Sequence, residues 1–181
     1  MKKYIFFFVF LIILFLGIVF IAEKYSIQLP KSTIPEISIT ASSGAIRFLE
    51  SAKKQIGKVN SYDLTNGYYR NGGYPPEDTG VCSDVIWRAY RDVGLDFRKI
   101  ISESIQKNPK LYENDLDSNI NYRRVKRLFV YYQNNAKILT NELLPNKREN
   151  LATWQPGDIV IFDELPSSHL WHIGIISDER R

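Results

Sequence analysis

Cys82 and His172 carry the types of side chain from which a nucleophilic site is made. Cys82 is the sole thiol of this 181-residue chain. It stands in Gly80-Val-Cys-Ser-Asp-Val-Ile-Trp-Arg-Ala-Tyr90, directly after a Gly- and Pro-dense run, Gly72-Gly-Tyr-Pro-Pro-Glu-Asp-Thr-Gly80, that reads as irregular. Val85, Ile86, Ala89 and Val93 then recur at helical spacing, and Gly94 supplies a stop. The spacing predicts that Cys82 opens a helix and lies on its inward face. Unpaired N–H groups and the positive end of the helix dipole there favour the thiolate, which is the nucleophilic form. The plainer alternative is a cysteine that serves as a small buried hydrophobe.

His172 sits near the C-terminus in His172-Ile-Gly-Ile-Ile-Ser-Asp178, a stretch that reads as a strand. A Cys and a His distant in sequence and adjacent in space form the working pair of a cysteine hydrolase. The alternative for His172 is a half-buried, satisfied histidine. His169 competes for the role from a loop after Ser167 and Ser168. His169-x-x-His172 with one cysteine lacks convergent acidic partners, so no metal is expected, and no cofactor either.

These side chains need elements to position them. Ala45, Phe48, Leu49, Ala52 and Ile56 predict an amphipathic helix closed by Gly57. Further helices are expected over 95–105 and 123–134, with a polar connection between them. Ile159-Val-Ile-Phe162 and Leu170 to Ile176 predict two strands, joined closely enough for an antiparallel hairpin. Helices first and antiparallel strands last make an α+β domain. If Asp163 pairs near Leu170, then Ile161 faces His172, with Gly174 on the same side and Trp171, Ile173 and Ile175 on the other. Asp163 would then lie diagonally across from His172, within reach of the ring as its orienting group. Otherwise it only ends its strand in solvent.

Tyr4 to Ala22 is an apolar run, long enough as a helix to cross roughly 28 Å, and Lys2 and Lys3 precede it. Its exit, Val19-Phe-Ile-Ala-Glu-Lys-Tyr25, makes a poor cleavage site. The expected organisation is a transmembrane anchor over 1–23 with the N-terminus inside, a tether over 24–41 carrying Pro30 and Pro35, and a folded domain over 42–181 outside the cytoplasm. Secretion after signal cleavage is the less favoured route. One cysteine makes no internal disulfide, so the domain rests on its core and its thiol is free. A free thiol in an oxidising compartment is a liability, which hints at use. The net charge of +4 suits an anionic envelope. The cluster Arg123-Arg-Val-Lys-Arg127 interleaves with Val125, Leu128 and Phe129 and reads as the wet face of a helix. A nucleic-acid partner is not expected of a domain outside the membrane.

Ser61-Tyr-Asp63, Gly80-Val-Cys-Ser-Asp-Val-Ile86, Asn119-Ile-Asn-Tyr-Arg-Arg-Val125, Pro156-Gly-Asp-Ile-Val160 and His172-Ile-Gly-Ile-Ile-Ser-Asp178 together resemble the bacterial domain-of-unknown-function family 1287. The resemblance runs from about Ala45 to the end of the chain. That family looks like a branch of the NlpC-type papain-like cysteine peptidases and amidases, many of which cut peptidoglycan. The resemblance implies a papain-like fold, helices packed on a small antiparallel sheet, with Cys82 as nucleophile and His172 as base. Ser83 stands where Thr is common, and Asn121-Tyr122 where Asp-His is common. The resemblance also marks Tyr62, Asp63, Asp84, Arg123 and Arg124 as supporting positions, and Asp158 as a further match. Asp84 and Asp158 could equally cap or orient backbone, and the residues alone assign no role to the two arginines. In the related family the chain continues past the Ser-Asp pair, so the resemblance implies an incomplete sheet and weak turnover here. The implied activity is cleavage of amide bonds in peptidoglycan peptides. A catalytically silent wall-binding module and an acyltransferase using the same Cys–His pair are the alternatives.

Overall fold

Ser42 starts the first helix: its backbone is extended and its hydroxyl accepts the Ala45 N–H at 3.1 Å. The computed structural model describes residues 40–65, 67–112, 116–163 and 171–179, all within one compact unit, Ile37–Arg181. Helix α1 spans Ser43–Lys53 and buries Phe48, Leu49 and Ala52. It ends before Ile56, which lies in the following turn and is 77 % exposed rather than on the helix's apolar stripe.

Helix α2, Cys82–Asp92, follows the Gly/Pro loop and is closed by Gly94 at φ 86°. Helix α3, Phe97–Lys107, is capped by Asp96, whose carboxylate accepts the Lys99 N–H at 3.0 Å. A single 3₁₀ turn, Asn121–Arg123, leads into α4, Val125–Asn135, and a short α5 covers Arg148–Leu151. The core gathers Ile86 and Ala89 of α2, Phe97 and Ile101 of α3, Tyr122, Leu128 of α4, and Ile173. Helix α2 lies in the middle of this arrangement, packed on α1, on α3, on the Asn121–Arg123 turn and on the last strand.

The strands form two separate pairs. β1, Ser61–Tyr62, runs parallel to β2, Thr79–Gly80, with Tyr62 opposite Gly80. β3, Ile159–Phe162, and β4, His172–Ile175, form the expected antiparallel hairpin. Its register differs by one residue from the sequence expectation: Phe162, not Ile161, pairs with His172, and Ile161 pairs with Ile173. A one-residue slip exchanges faces. Ile161 therefore turns with Ile173 toward the core, and Phe162 shares the side of His172.

The expected fold class needs correction on two counts. The sheet component is two small two-stranded pairs, one of them parallel, rather than one antiparallel sheet. Among the described residues, no helix is long and apolar enough to cross a membrane. The segment for which an anchor was expected, 1–23, and the tether up to residue 39 lie outside the described residues.

Candidate active site

The parallel pairing of β1 with β2 sets up the surroundings of Cys82. Placing Tyr62 opposite Gly80 brings its side chain alongside the residue two further on, Cys82, and the Tyr62 hydroxyl donates toward Sγ at 3.9 Å. Burial, first, and then the neighbouring Cys82 sulfur push the Tyr62 phenol above its ordinary pKa. The phenol consequently stays a donor. Asp63 next to it accepts from the N–H and hydroxyl of Thr65 at 2.7 and 2.6 Å, and its own N–H reaches the Gly80 carbonyl at 3.1 Å. Its service is to hold the β1–β2 junction.

Cys82 is the first residue of α2 and is half-buried. The helix buries Ser83, Asp84, Ile86, Trp87, Arg88 and Ala89. The buried side is thus centred one residue on from the face counted in the sequence, and Cys82 and Val85 border a cleft instead of the core. That cleft, about 600 Å³, is lined by Leu49, Ala52 and Lys53 from α1, by Tyr62, by Cys82 and Val85, and by β4 from His172 to Ile175. Cys82 and His172, distant in the chain, both line it. His172 is half-buried and its ring centroid lies 6.3 Å from that of Phe162.

Asp84 and Arg123, which the sequence left without a firm role, form a well-defined buried contact in the first turn of α2. The Asp84 carboxylate is fully buried. Arg123 donates to it through Nε and Nη2, each at 2.7 Å to a different oxygen, and the Val81 N–H donates at 2.8 Å. The fork geometry matches a bidentate arginine–carboxylate pair. Burial works against the Arg123 charge, but the hydrogen bonds and the nearby Asp84 carboxylate outweigh it and hold the guanidinium above its ordinary pKa. Ser83 donates to the Arg123 carbonyl at 2.7 Å. Tyr69 lies 3.7 Å below the guanidinium, ring centroid to Cζ, and burial together with the Asp84 charge pushes its phenol up. The capping alternative for Asp84 is therefore realised, with a buried cation added to it. Arg124 is half-buried and gives its carbonyl to the first turn of α4, at the Arg127 and Leu128 N–H groups.

Other sequence candidates fall elsewhere. Asp158 accepts the Gln155 N–H at 2.8 Å and fixes the turn before β3. The observed register removes the diagonal on which Asp163 was to reach the imidazole. Asp163 is exposed, one residue beyond β3, and next to the residue that pairs with His172. His169 lies outside the described residues. Among the described residues, no group of three or more His, Cys, Asp or Glu could hold a metal ion.

Sequence reasoning passed over Tyr69 and Arg88, both almost fully buried. Arg88 holds the Pro76 and Thr79 carbonyls at 2.8 and 2.7 Å, which shapes the loop entering α2. Its placement four residues after Asp84 on the same helix was the available signal.

Comparison with known proteins places these residues among relatives. The model of the family described as Domain of unknown function (DUF1287) matches residues 49–181, which include Cys82, Asp84, Arg123 and His172. A protein of Escherichia coli (strain K12), described as Uncharacterized protein YijF, is 30% identical over 161 residues, covering 86% of this chain and 74% of that protein. No solved structure matches the chain.

Proposed function

This chain belongs to the DUF1287 family, and from that premise we propose that it is a cysteine hydrolase, an amidase or endopeptidase with the chemistry of the NlpC-type peptidases. The single observation that carries the reading is that Cys82, at a helix N-terminus, and His172 line one cleft, with a tyrosine hydroxyl 3.9 Å from the sulfur. In the proposed reaction the Cys82 thiolate attacks an amide carbonyl, and the sulfur–carbon bond forms as the carbonyl π electrons move to oxygen. Backbone N–H groups at the start of α2 offer the oxyanion a donor. Collapse expels the amine, which takes its proton from His172. Water, deprotonated by the same imidazole, then releases the acyl group and restores the thiolate.

The substrate class proposed is the peptide portion of peptidoglycan, with the domain working outside the cytoplasm. The apolar run Tyr4–Ala22 behind a pair of lysines supports export, and the net charge of +4 favours an anionic wall. Incubation with purified muropeptides, followed by mass analysis of products, tests this reading. The native protein should release new amine and carboxyl termini, and Cys82→Ala should release none. Equal release by Cys82→Ala would remove Cys82 from the chemistry. Protease added to cells with opened outer layers should digest the domain, and protection would place it on the cytoplasmic side.

A further inference from the structure

We propose that Arg123 is a positioning residue for the nucleophile: it cancels the charge of Asp84 in the first turn of α2 and so lets that helix end stabilise a Cys82 thiolate. The inference rests on the cysteine-hydrolase reading and deepens it. Asp84 is the third residue of α2, two beyond Cys82, and has no solvent exposure. An uncompensated buried carboxylate in the same helical turn as a thiol opposes formation of a second negative charge there. Without compensation, Asp84 would undo what the helix dipole supplies.

Arg123 meets that carboxylate oxygen for oxygen, Nε to Oδ1 and Nη2 to Oδ2, both at 2.7 Å. Its backbone carbonyl accepts from Ser83 Oγ at 2.7 Å, so the same residue grips α2 at both positions following the nucleophile. The chain leaves space for this pair at Gly80, where a Cβ would stand 3.1 Å from Asp84 Oδ2 and 3.0 Å from Arg88 Nη1. The other ionisable groups facing Cys82 come from the elements around it. Tyr62 approaches from β1 and His172 from β4, and Lys53 lines the same cleft from α1 but is joined to Asp178 at 3.0 Å. Helix α3 meets α2 through Phe97 stacked on Tyr90.

The test is the pH dependence of Cys82 alkylation by iodoacetamide in the full chain, which needs no substrate. Arg123→Met should move the midpoint to higher pH by about one unit or more. Asp84→Asn should move it to lower pH, and Arg123→Lys, which keeps the charge, should stay within about half a unit of the native profile. A purely structural loosening would move the first two variants in the same direction. An unmoved midpoint in Arg123→Met, or shifts of like sign in Arg123→Met and Asp84→Asn, overturns the proposal. Where one of those two fails to fold, the sign of the other decides. Where both fail, Arg123→Lys decides, and a shift of about a full unit overturns it. Failure of the hydrolase reading would appear separately, as a fast-alkylating Cys82 in a protein that turns over no amide.

Discussion

Cys82 at a helix start and His172 on a strand were each legible because each announces its setting locally. A Gly-rich loop running into helical periodicity marks a helix start, and β-branched neighbours mark a strand. The Tyr62 contact was less legible, since it depends on a parallel pairing of two-residue strands that no periodicity can reveal. Its chemistry yields a prediction at this scale. Because burial and the neighbouring Cys82 hold the phenol above its ordinary pKa, Tyr62 remains a hydrogen-bond donor to sulfur across the neutral range. Tyr62→Phe removes that donor and leaves the ring. Alkylation of Cys82 at neutral pH should slow by roughly two- to ten-fold, the kinetic equivalent of a hydrogen bond worth about 0.5–1.5 kcal/mol. An unchanged rate would show that the 3.9 Å contact does not stabilise the thiolate. His172→Ala should slow the same labelling, and a larger effect from His169→Ala would transfer the base's role to that residue.

The hairpin shows where reasoning by element succeeds and where it stops. Composition located β3 and β4 nearly to the residue, but register depends on the loop between them, and no residue type in that loop specifies a turn geometry. The one-residue difference is consequential: it turns Ile161 to the core side with Ile173, 2 % exposed, and leaves Phe162, 45 % exposed, beside the histidine. Two substitutions separate the registers. Ile173→Ala should cost about 2–5 kcal/mol in denaturant unfolding, the usual loss for a buried aliphatic side chain. Phe162→Ala should cost roughly 0.5 kcal/mol or less, as at an exposed site, while disturbing the His172 contribution to labelling. A cost at Phe162→Ala as large as that at Ile173→Ala would put the two on one side, as in the register expected from sequence. Gly157 offers an independent check on how this hairpin meets α1. It has φ 89°, and a Cβ there would lie 2.5 Å from the Ala45 carbonyl oxygen. Gly157→Ala should therefore destabilise by about 1–3 kcal/mol, read as a fall in the urea midpoint. The Asp84–Arg123 pair escaped sequence reading for a related reason: partners 39 positions apart share no local pattern.

At the scale of the molecule, the candidate site draws Cys82 from an early helix and His172 from β4. It exists only when the long-range contacts of α2 with α1 and β4 are all made. One visible tie crosses the same cleft. Lys53 of α1 donates to both carboxylate oxygens of Asp178, just past β4, at 3.0 and 3.2 Å, with Glu50 and Glu179 within 3.5 and 3.9 Å. The pair is solvent-exposed, so salt screens it and its effect is local rather than global. Hydrogen bonding to Lys53 lowers the Asp178 pKa from its ordinary 3.8, and the same bond raises that of Lys53 from 10.5. For Asp178 the stabilisation is full above the ordinary value and disappears as pH falls through the depressed one. For Lys53 it is full below the ordinary value and disappears as pH rises through the raised one. The tie should thus hold across the whole interval between them, including any pH at which Cys82 works. Lys53→Met should leave the unfolding midpoint nearly unchanged while amide exchange at Ser177 and Glu179 quickens at neutral pH. Molar salt should produce the same quickening in the native chain and no further change in the variant. If the variant and the native protein exchange alike at low salt, the two sides of the cleft are joined by the packing of α1, α2 and β4 alone.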